Sequence, residues 1–505
     1  MKIFNKKNII PYICFAIILI VAFYFRFYHL HERLSFDGDS TRDALVAREG
    51  ATIMQLPLTG PFSSIGQFTF GPWYYYFLIL FSKIVQSPFA PWLFMNISSI
   101  FFIIVLFILG SATENIWLGV LAAALAALSP PQITLGIVVS NPNLTPLFSA
   151  IALLSFTYII QKRNSYIWGC ILGLAIGIGI NIHYQMNGMI ILPILLFIFR
   201  YYPAIIPSLL GLVLTFLPLL FFDLTNHWYT IRGMYIYLLL GKNNIYVPNS
   251  WTIYVKDFWP HFLSNTFGFP AFIFIIICLI TGCFAIGNLW KTKKELIIRH
   301  TPLFLIILTF LYNFVLLRYY WGTRSLNYVQ YLHPFLFLFC GYALYVIVKR
   351  FKWKSLAYGI LFFSFMYIAY HNRTLMRVNE NTIKIHKDVE YLIQSYPNES
   401  FSLYTCHSET ANKAQALALV LYDYGKIKTD GKKLAFASNT CPKPNLPITS
   451  LTSNVPTLLY PYIKKADMYD FSLASESAIL EEGWKRIDSS MKYNEVARWW
   501  FDEKP

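Results

Sequence analysis

Charge is what this chain has least of. Only 13% of its 505 residues are charged, against 56% hydrophobic, a balance that excludes an ordinary soluble globular protein. Cysteine is also scarce. Of seven cysteines, five lie in hydrophobic segments without metal-ligand spacing and read as packing residues. The net charge of +16 comes without a long basic stripe interleaved with aromatics, so nucleic acid is not the expected partner. The excess lies largely in Lys/Arg marks beside apolar runs and in a mildly basic tail, a distribution suited to anionic membrane lipids or a lipid phosphate. The repeated halves and recurrent buried acidic relay expected of a transporter are missing too.

Long apolar runs are abundant. The first, 11–30, follows Lys2, Lys6 and Lys7 and reads as a retained anchor rather than a cleaved signal. Further candidate spans lie near 91–110, 117–138, 144–160, 166–182, 188–200, 204–222, 266–288, 301–318, 326–348 and 355–371, each needing about 20 residues to cross. The expectation is a polytopic α-helical membrane protein with about 11–13 transmembrane helices. Lys162-Arg163, Arg200, Lys291 to Lys294 and Lys349 to Lys354 mark the cytoplasmic side. The N-terminus is then cytoplasmic, and both the loop after residue 30 and Asn141 face outward. Segment 72–86 is short and reads as an interfacial or partly inserted helix, with a true span as the alternative.

Near residue 374 the long apolar runs stop. The chain divides into a membrane body, 1–373, which includes an external loop 31–71, and an extracytoplasmic C-terminal α/β domain, 374–505. Phe401–Cys406 and Leu434–Ser438 read as strands, as does Val455–Tyr460 despite its proline. Residues 409–424 read as a helix stopped by Gly425. Cys406 and Cys441 are the tail's two cysteines; they form either a disulfide, as an extracytoplasmic site allows, or two buried thiols.

Against this background Asp37-Gly38-Asp39-Ser40-Thr41-Arg42-Asp43 stands out. Ser40 can cap a helix running to about Gln55, with Asp43 completing a capping-box-like arrangement. Asp39, at the start of that helix, can take a proton from an attacking hydroxyl, or merely cap the helix or pair with Arg42. Asp37 and Asp39 also have the Asp-x-Asp form that holds a divalent cation in some nucleotide-sugar enzymes. A divalent metal is therefore the one cofactor in view, and no other is expected.

Other polar residues recur at inferred outer ends. Asn141 and Asn143 flank Pro142 and could either bind a sugar or cap a helix. His183 and Gln185 cluster after the span at 166–182; a histidine there could bind phosphate when protonated or donate a hydrogen bond when neutral. Arg324 could clamp phosphate oxygens, and His333 lies at the entrance to the span at 326–348. The tyrosines and tryptophans, including Tyr74 to Tyr76, read first as a headgroup belt.

The stretch from Asp39 to Glu49, following a single span, resembles the first loop of membrane glycosyltransferases that use polyprenyl-phosphate sugars (the GT-C superfamily). That group includes protein O-mannosyltransferases and lipid A aminoarabinose transferases. Its members often carry Asp-Glu-x-Arg here, so the resemblance makes Asp39 the catalytic candidate and Arg42 the matching basic position. Ser40 departs from the acidic residue of that pattern. Asn141-Pro142-Asn143 stands where many relatives have a second external acid. Asn181-x-His183-Tyr184-Gln185 and Tyr331-x-His333-Pro334 also resemble a bacterial branch of the group.

The resemblance implies inverting transfer of a hexosyl or pentosyl unit from a polyprenyl-phosphate donor to an envelope glycan, lipid or protein acceptor at the outer face of the cell membrane. Asp39 would activate the acceptor, and Arg42, Arg324, His183 and His333 would bind the donor phosphate or sugar. Asn141, Asn143 and Gln185 would position acceptor or sugar. The alternatives are a lipid-linked glycan transporter or flippase, and a noncatalytic envelope assembly protein.

Overall fold

The computed structural model describes residues 9–63, 66–240, 251–268, 294–320, 324–350, 353–406, 408–437, 449–450 and 467–497. Its body is helical. The principal helices are α1 (Ile10–Phe27), α2 (Gly38–Ile53), α3 (Trp73–Val85), α4 (Ala90–Thr113), α5 (Ile116–Leu128), α6 (Thr145–Ile160), α7 (Ser165–Ile182), α8 (Ile205–Thr225), α9 (Lys294–Tyr319), α10 (His333–Arg350) and α11 (Lys354–Asn372).

Among the described residues seven helices are long and apolar enough to cross a membrane, or eight if a bent pair counts as one span. The sequence windows suggested eleven or more, and the differences have local causes. The window 117–138 is α5 followed by a second helical segment, bent by 63° where Pro130 and Pro131 interrupt the amide ladder. The window 188–200 falls in Tyr184–Ile198, a short helix that begins as a 3-10 turn. Helix α11 has the length, but Tyr358, Tyr367, Tyr370 and His371 dilute its apolar character, and it is not among the seven. The window 266–288 lies mostly outside the described residues. Segment 72–86 forms the 13-residue α3, about 20 Å long and short of the roughly 30 Å hydrocarbon core.

Arg26 is the unexpected charge within α1, and it is fully buried. Its Nε donates to Ser99 Oγ at 2.8 Å, and one terminal nitrogen donates to the Ala22 and Ala127 carbonyls. Those partners compensate part of the cost of desolvating the guanidinium.

The C-terminal region contains α12 (Glu380–Ser395), β1 (Phe401–Thr405), α13 (Ser408–Asp423), β2 (Lys432–Ala437), β3 (Thr449–Ser450), β4 (Asp467–Asp470), β5 (Lys485–Ile487) and α14 (Ser489–Ala497). The strands form one mixed sheet in the order β3-β4-β2-β1-β5, with β1 and β2 parallel and the other pairings antiparallel. Leu403 and Tyr404 of β1 and Leu434 and Ala435 of β2 are fully buried, as expected of strands covered on both faces. Helix α13 ends beside Gly425, whose φ of +64° suits the left-handed stop position. Cys406 is disulfide-bonded; its expected partner Cys441, like the expected strand at Val455–Tyr460, lies outside the described residues.

This tail is packed on the helix that follows the first span. One hydrophobic cluster runs from Leu45 and Val46 of α2 into Val389, Leu417, Leu421 and Tyr493. Leu45 and Val46 are fully buried, which stabilises the docking by about 1.5–3 kcal/mol each. Polar contacts reinforce it. Thr41 Oγ1 donates to Gln415 Oε1 at 3.0 Å, Ser489 Oγ to Glu49 Oε2 at 2.7 Å, and the Tyr493 hydroxyl to the Gln55 carbonyl at 3.1 Å. Helix α2 is therefore a buried strut between the body and the tail.

Candidate functional site

The N-terminus of α2 starts three residues earlier than the sequence suggests. Asp37 is its cap, accepting the Ser40 N–H through Oδ1 at 2.8 Å and the Ser35 hydroxyl through Oδ2 at 3.1 Å. Ser40, the expected cap, is buried inside the first turn. Its hydroxyl instead bonds the Val139 carbonyl and N–H, at 3.2 and 3.0 Å. Both residues are good caps; the reach of Ser40 to Val139 across 99 positions decides between them.

The next turn holds an ion cluster. Arg42 donates to Asp39 Oδ1 at 2.8 Å and to Asp43 Oδ1 at 2.8 Å. The two carboxylates sit in different surroundings: the Asp39 side chain is 70% exposed, that of Asp43 only 1%. Asp43 is not the second half of a capping box. It accepts the Tyr74 hydroxyl at 2.9 Å and the Tyr75 hydroxyl at 2.8 Å. These two tyrosines are fully buried and do not belong to a headgroup belt. Burial raises the pKa of Asp43 although Arg42 beside it pulls the other way. Burial also works against the charge on Arg42, but Asp43, Tyr75 and Asp39 overcome it and hold the guanidinium cationic.

A cavity of about 590 Å³ opens beside this cluster. Of the residues proposed from sequence, Asp39, Arg42, Asn141, His183 and Gln185 line it. They come from α2, the turn before α6 and the turn after α7. Phe68 and Phe70 close one side, Tyr184 sits among them, and Tyr237, Tyr320 and Tyr328 supply further wall.

Local folding explains how these segments meet. Residues 60–63 and 66–71 pair with each other: Phe62 bridges Thr69 and Gly60 N–H donates to the Phe70 carbonyl. Gly71 N–H then donates to the Asn181 carbonyl at 2.8 Å. A Cβ at Gly71 would lie 1.7 Å from Asn181 Oδ1, so only glycine allows the loop to approach the end of α7 this closely. The Tyr184 hydroxyl adds a bond to the Thr69 carbonyl at 2.6 Å. Asn141 is tied to the same end of α7 through its Nδ2 and the Ile182 carbonyl, at 2.6 Å.

His183 stacks between Phe70 and Tyr328, with ring centroids 5.2 and 4.5 Å away. Its Nδ1 accepts the Gln185 N–H at 3.4 Å, leaving Nε2 as the protonated nitrogen of the neutral ring. Burial lowers its pKa to about 3, so it enters the site as a neutral donor and not as a cationic phosphate ligand. The neutral ring's contribution to stability is complete above the unfolded pKa of about 6.5 and is lost as pH falls toward about 3. Over that window the loss approaches about 1.4 kcal/mol per pH unit. His183→Gln is accordingly expected to show a smaller drop in melting temperature than the parent between pH 6.5 and 4.5. Equal drops for the two proteins would mean that His183 is not held neutral.

Three of the residues proposed from sequence lie elsewhere. The Arg324 guanidinium donates to the Leu317, Arg318 and Tyr320 carbonyls at 2.9–3.0 Å. It thus secures the end of α9, whose Leu316, Leu317 and Tyr319 reach the cavity wall. His333 is buried between Gln132 Nε2 at 2.7 Å and Thr266 Oγ1 at 3.3 Å, a polar bridge between helices. Asn143 donates to the Val138 carbonyl at 2.9 Å and serves the turn before α6. The two aspartates of the Asp-x-Asp form have other partners. Asp37 holds the cap, Asp39 holds Arg42, and among the described residues no group of three His, Cys, Asp or Glu side chains could hold a metal ion.

The sequence reading named neither Tyr74 and Tyr75 as partners of Asp43 nor the aromatic wall. An acid at the sixth position of α2 was the available signal for the tyrosines, but it cannot say which distant hydroxyls answer it.

No protein-family model matches the sequence, and no curated protein matches it either. Solved structures do. The apo structure of ArnT from Cupriavidus metallidurans superposes with a TM-score of 0.56 at 10% identity, covering 91% of this chain and 97% of that one. The oligosaccharyltransferase AglB from Archaeoglobus fulgidus, solved with an inhibitory peptide and a dolichol-phosphate, gives 0.50 at 13% identity, covering 82% of this chain. The chain spans 64% of the AglB length. At such identities the likeness concerns the fold alone, a polytopic helical body with a small mixed-sheet C-terminal domain.

Proposed function

We propose that the protein is a glycosyltransferase that moves a sugar from a polyprenyl-phosphate donor to a hydroxyl of a cell-envelope glycan, lipid or protein. One observation carries the reading: a single cavity gathers Asp39, Arg42, Asn141, His183 and Gln185 from separate parts of the chain. The fold it shares with ArnT and with an oligosaccharyltransferase that holds a dolichol-phosphate supports it.

In this reading the acceptor oxygen attacks the anomeric carbon from the face opposite the phosphate. The new C–O bond forms as the anomeric C–O bond to phosphate breaks, which inverts that centre. The acceptor proton passes to Asp39, and the polyprenyl phosphate leaves with the bonding electrons. Asp39 is suited to the base because its carboxylate is accessible, whereas Asp43 is enclosed by Arg42 and two tyrosines. Arg42 takes the donor phosphate, a role the sequence favoured for Arg324, because its guanidinium reaches the cavity while that of Arg324 holds backbone carbonyls. Neutral His183 donates through Nε2, and Asn141 orients the acceptor or sugar. No step is routed through a metal.

The proposed orientation has the N-terminus cytoplasmic and the cavity and tail extracytoplasmic; the disulfide at Cys406 fits an oxidising compartment, and Cys441 is its proposed partner. The proposed unit boundary is 373/374. Mass spectrometry of purified protein in detergent, supplied with extracted polyprenyl-phosphate sugars and membrane acceptors, tests the reading. The expected result is an acceptor heavier by one sugar together with free polyprenyl phosphate. Absence of product in detergent, with carrier movement in sealed proteoliposomes, would replace it with transport.

A further inference from the structure

The cavity wall says something about the sugar. Among its described residues Asp39 and Arg42 carry formal charge at neutral pH, and they bond each other at 2.8 Å. Arg42 is further neutralised by Asp43. The other polar groups of the wall are hydroxyls, amides and a histidine held neutral by burial. The Tyr237 and Tyr320 hydroxyls bond each other at 3.0 Å, a pair that can donate and accept further bonds.

Gln185 is the anomaly. Its side-chain amide is buried and only weakly paired: the Tyr320 hydroxyl is close enough to interact with it, but neither amide atom makes a hydrogen bond of full geometry. A buried amide left short of its hydrogen bonds is costly, and native proteins keep one where a ligand or solvent will satisfy it. An amide offers a donor and an acceptor on adjacent atoms, and a sugar hydroxyl answers both. A stacked column of Phe70, His183 and Tyr328 lines the same cavity and gives it an uncharged aromatic wall for the C–H groups of a sugar ring. A charged sugar substituent would have to lose its hydration, and among the described residues of this wall the two charged groups are committed, Arg42 to the donor phosphate and Asp39 to Arg42 and the acceptor's proton.

We infer that the cavity selects an uncharged, hydroxyl-bearing sugar, and that Gln185 is the specificity-determining residue. The inference rests on the donor-sugar reading above and narrows its substrate to neutral sugars, setting aside amino sugars and uronic acids.

Non-transferable phosphonate analogues of a short polyprenyl-phosphate glycoside provide the test. Three carry a neutral hexose, an amino-deoxy hexose or a hexuronic acid, and a fourth probe is the sugar-free polyprenyl phosphate. Binding is measured on purified full-length protein and on Gln185→Leu and Gln185→Glu. The parent is expected to bind the neutral analogue at least about tenfold more tightly than either charged one. Gln185→Leu should lose about tenfold on the neutral analogue while keeping its affinity for the sugar-free carrier, which also confirms that the variant is folded. Gln185→Glu should shift preference toward the amino sugar. Tighter binding of a charged analogue by the parent, or an unaltered preference order in both variants, overturns the inference. A neutral preference in binding without sugar transfer would sink the proposed reaction and leave the selectivity standing. Transfer of a charged sugar in preference to a neutral one would do the reverse.

Discussion

Asp39→Asn is expected to lower sugar transfer by about a thousandfold while leaving the protein folded and able to bind its donor. The amide keeps the size of the carboxylate and one acceptor oxygen, but it cannot take the acceptor's proton. Loss of a positioned general base typically costs 10²- to 10⁴-fold, by order of magnitude. The structural cost should be small for a stated reason. The Asp39 side chain is 70% exposed and its bond to Arg42 lies at the protein surface, where such pairs contribute about 0–1 kcal/mol before screening by salt. Arg42 also retains Asp43. The expected signature is a collapse of kcat, a melting temperature within about 2 °C of the parent, and unchanged affinity for polyprenyl phosphate. Turnover at the parental rate in a folded variant would remove Asp39 from the mechanism and leave it as the partner of Arg42.

Much of this arrangement was legible in the sequence because it is local. The helix after the first span, the strands at 401 and 434, the Gly425 stop and the polar cluster at Asn181–Gln185 all follow from short-range pattern. What the pattern left undecided are choices settled by distant partners. Ser40 and Asp37 are equivalent caps until Val139 engages the serine. Tyr74 and Tyr75 look like interfacial aromatics until Asp43, more than thirty positions away, accepts both hydroxyls. Arg324 looks free for phosphate until the end of α9 presents three carbonyls to it. His333 shares a pattern with His183, but Gln132 and Thr266 enclose it between helices. Scarcity of charge points to which residues matter; it does not distinguish those facing a cavity from those holding the frame. The tail was the least legible part, since its packing on α2 depends on contacts between residues more than 300 positions apart.

Asp43→Ala tests that frame and should be the most destabilising single change in the region. Its carboxylate is 1% exposed and accepts from Arg42, Tyr74 and Tyr75. Removing one member of a buried charged pair typically costs about 3–5 kcal/mol, and the bond that Arg42 keeps to Asp39 places the cost toward the lower end. Here two buried tyrosine hydroxyls lose their acceptor as well. The change also acts on the site, since Arg42 is released from the side opposite Asp39. We therefore expect a melting temperature lower by about 3–5 °C and loss of donor binding as well as of turnover. Asp43→Asn should fall between alanine and the parent, because its oxygen can still accept from a tyrosine. Tyr74→Phe and Tyr75→Phe, each deleting one hydroxyl, should cost only about 1–2 kcal/mol apiece. A double-mutant cycle between Asp43→Ala and Tyr75→Phe measures their coupling. Strictly additive losses would mean that the tyrosine contributes packing alone. A large coupling energy, with Asp39→Asn fully stable, would separate the acid that holds the helix from the acid that faces the substrate.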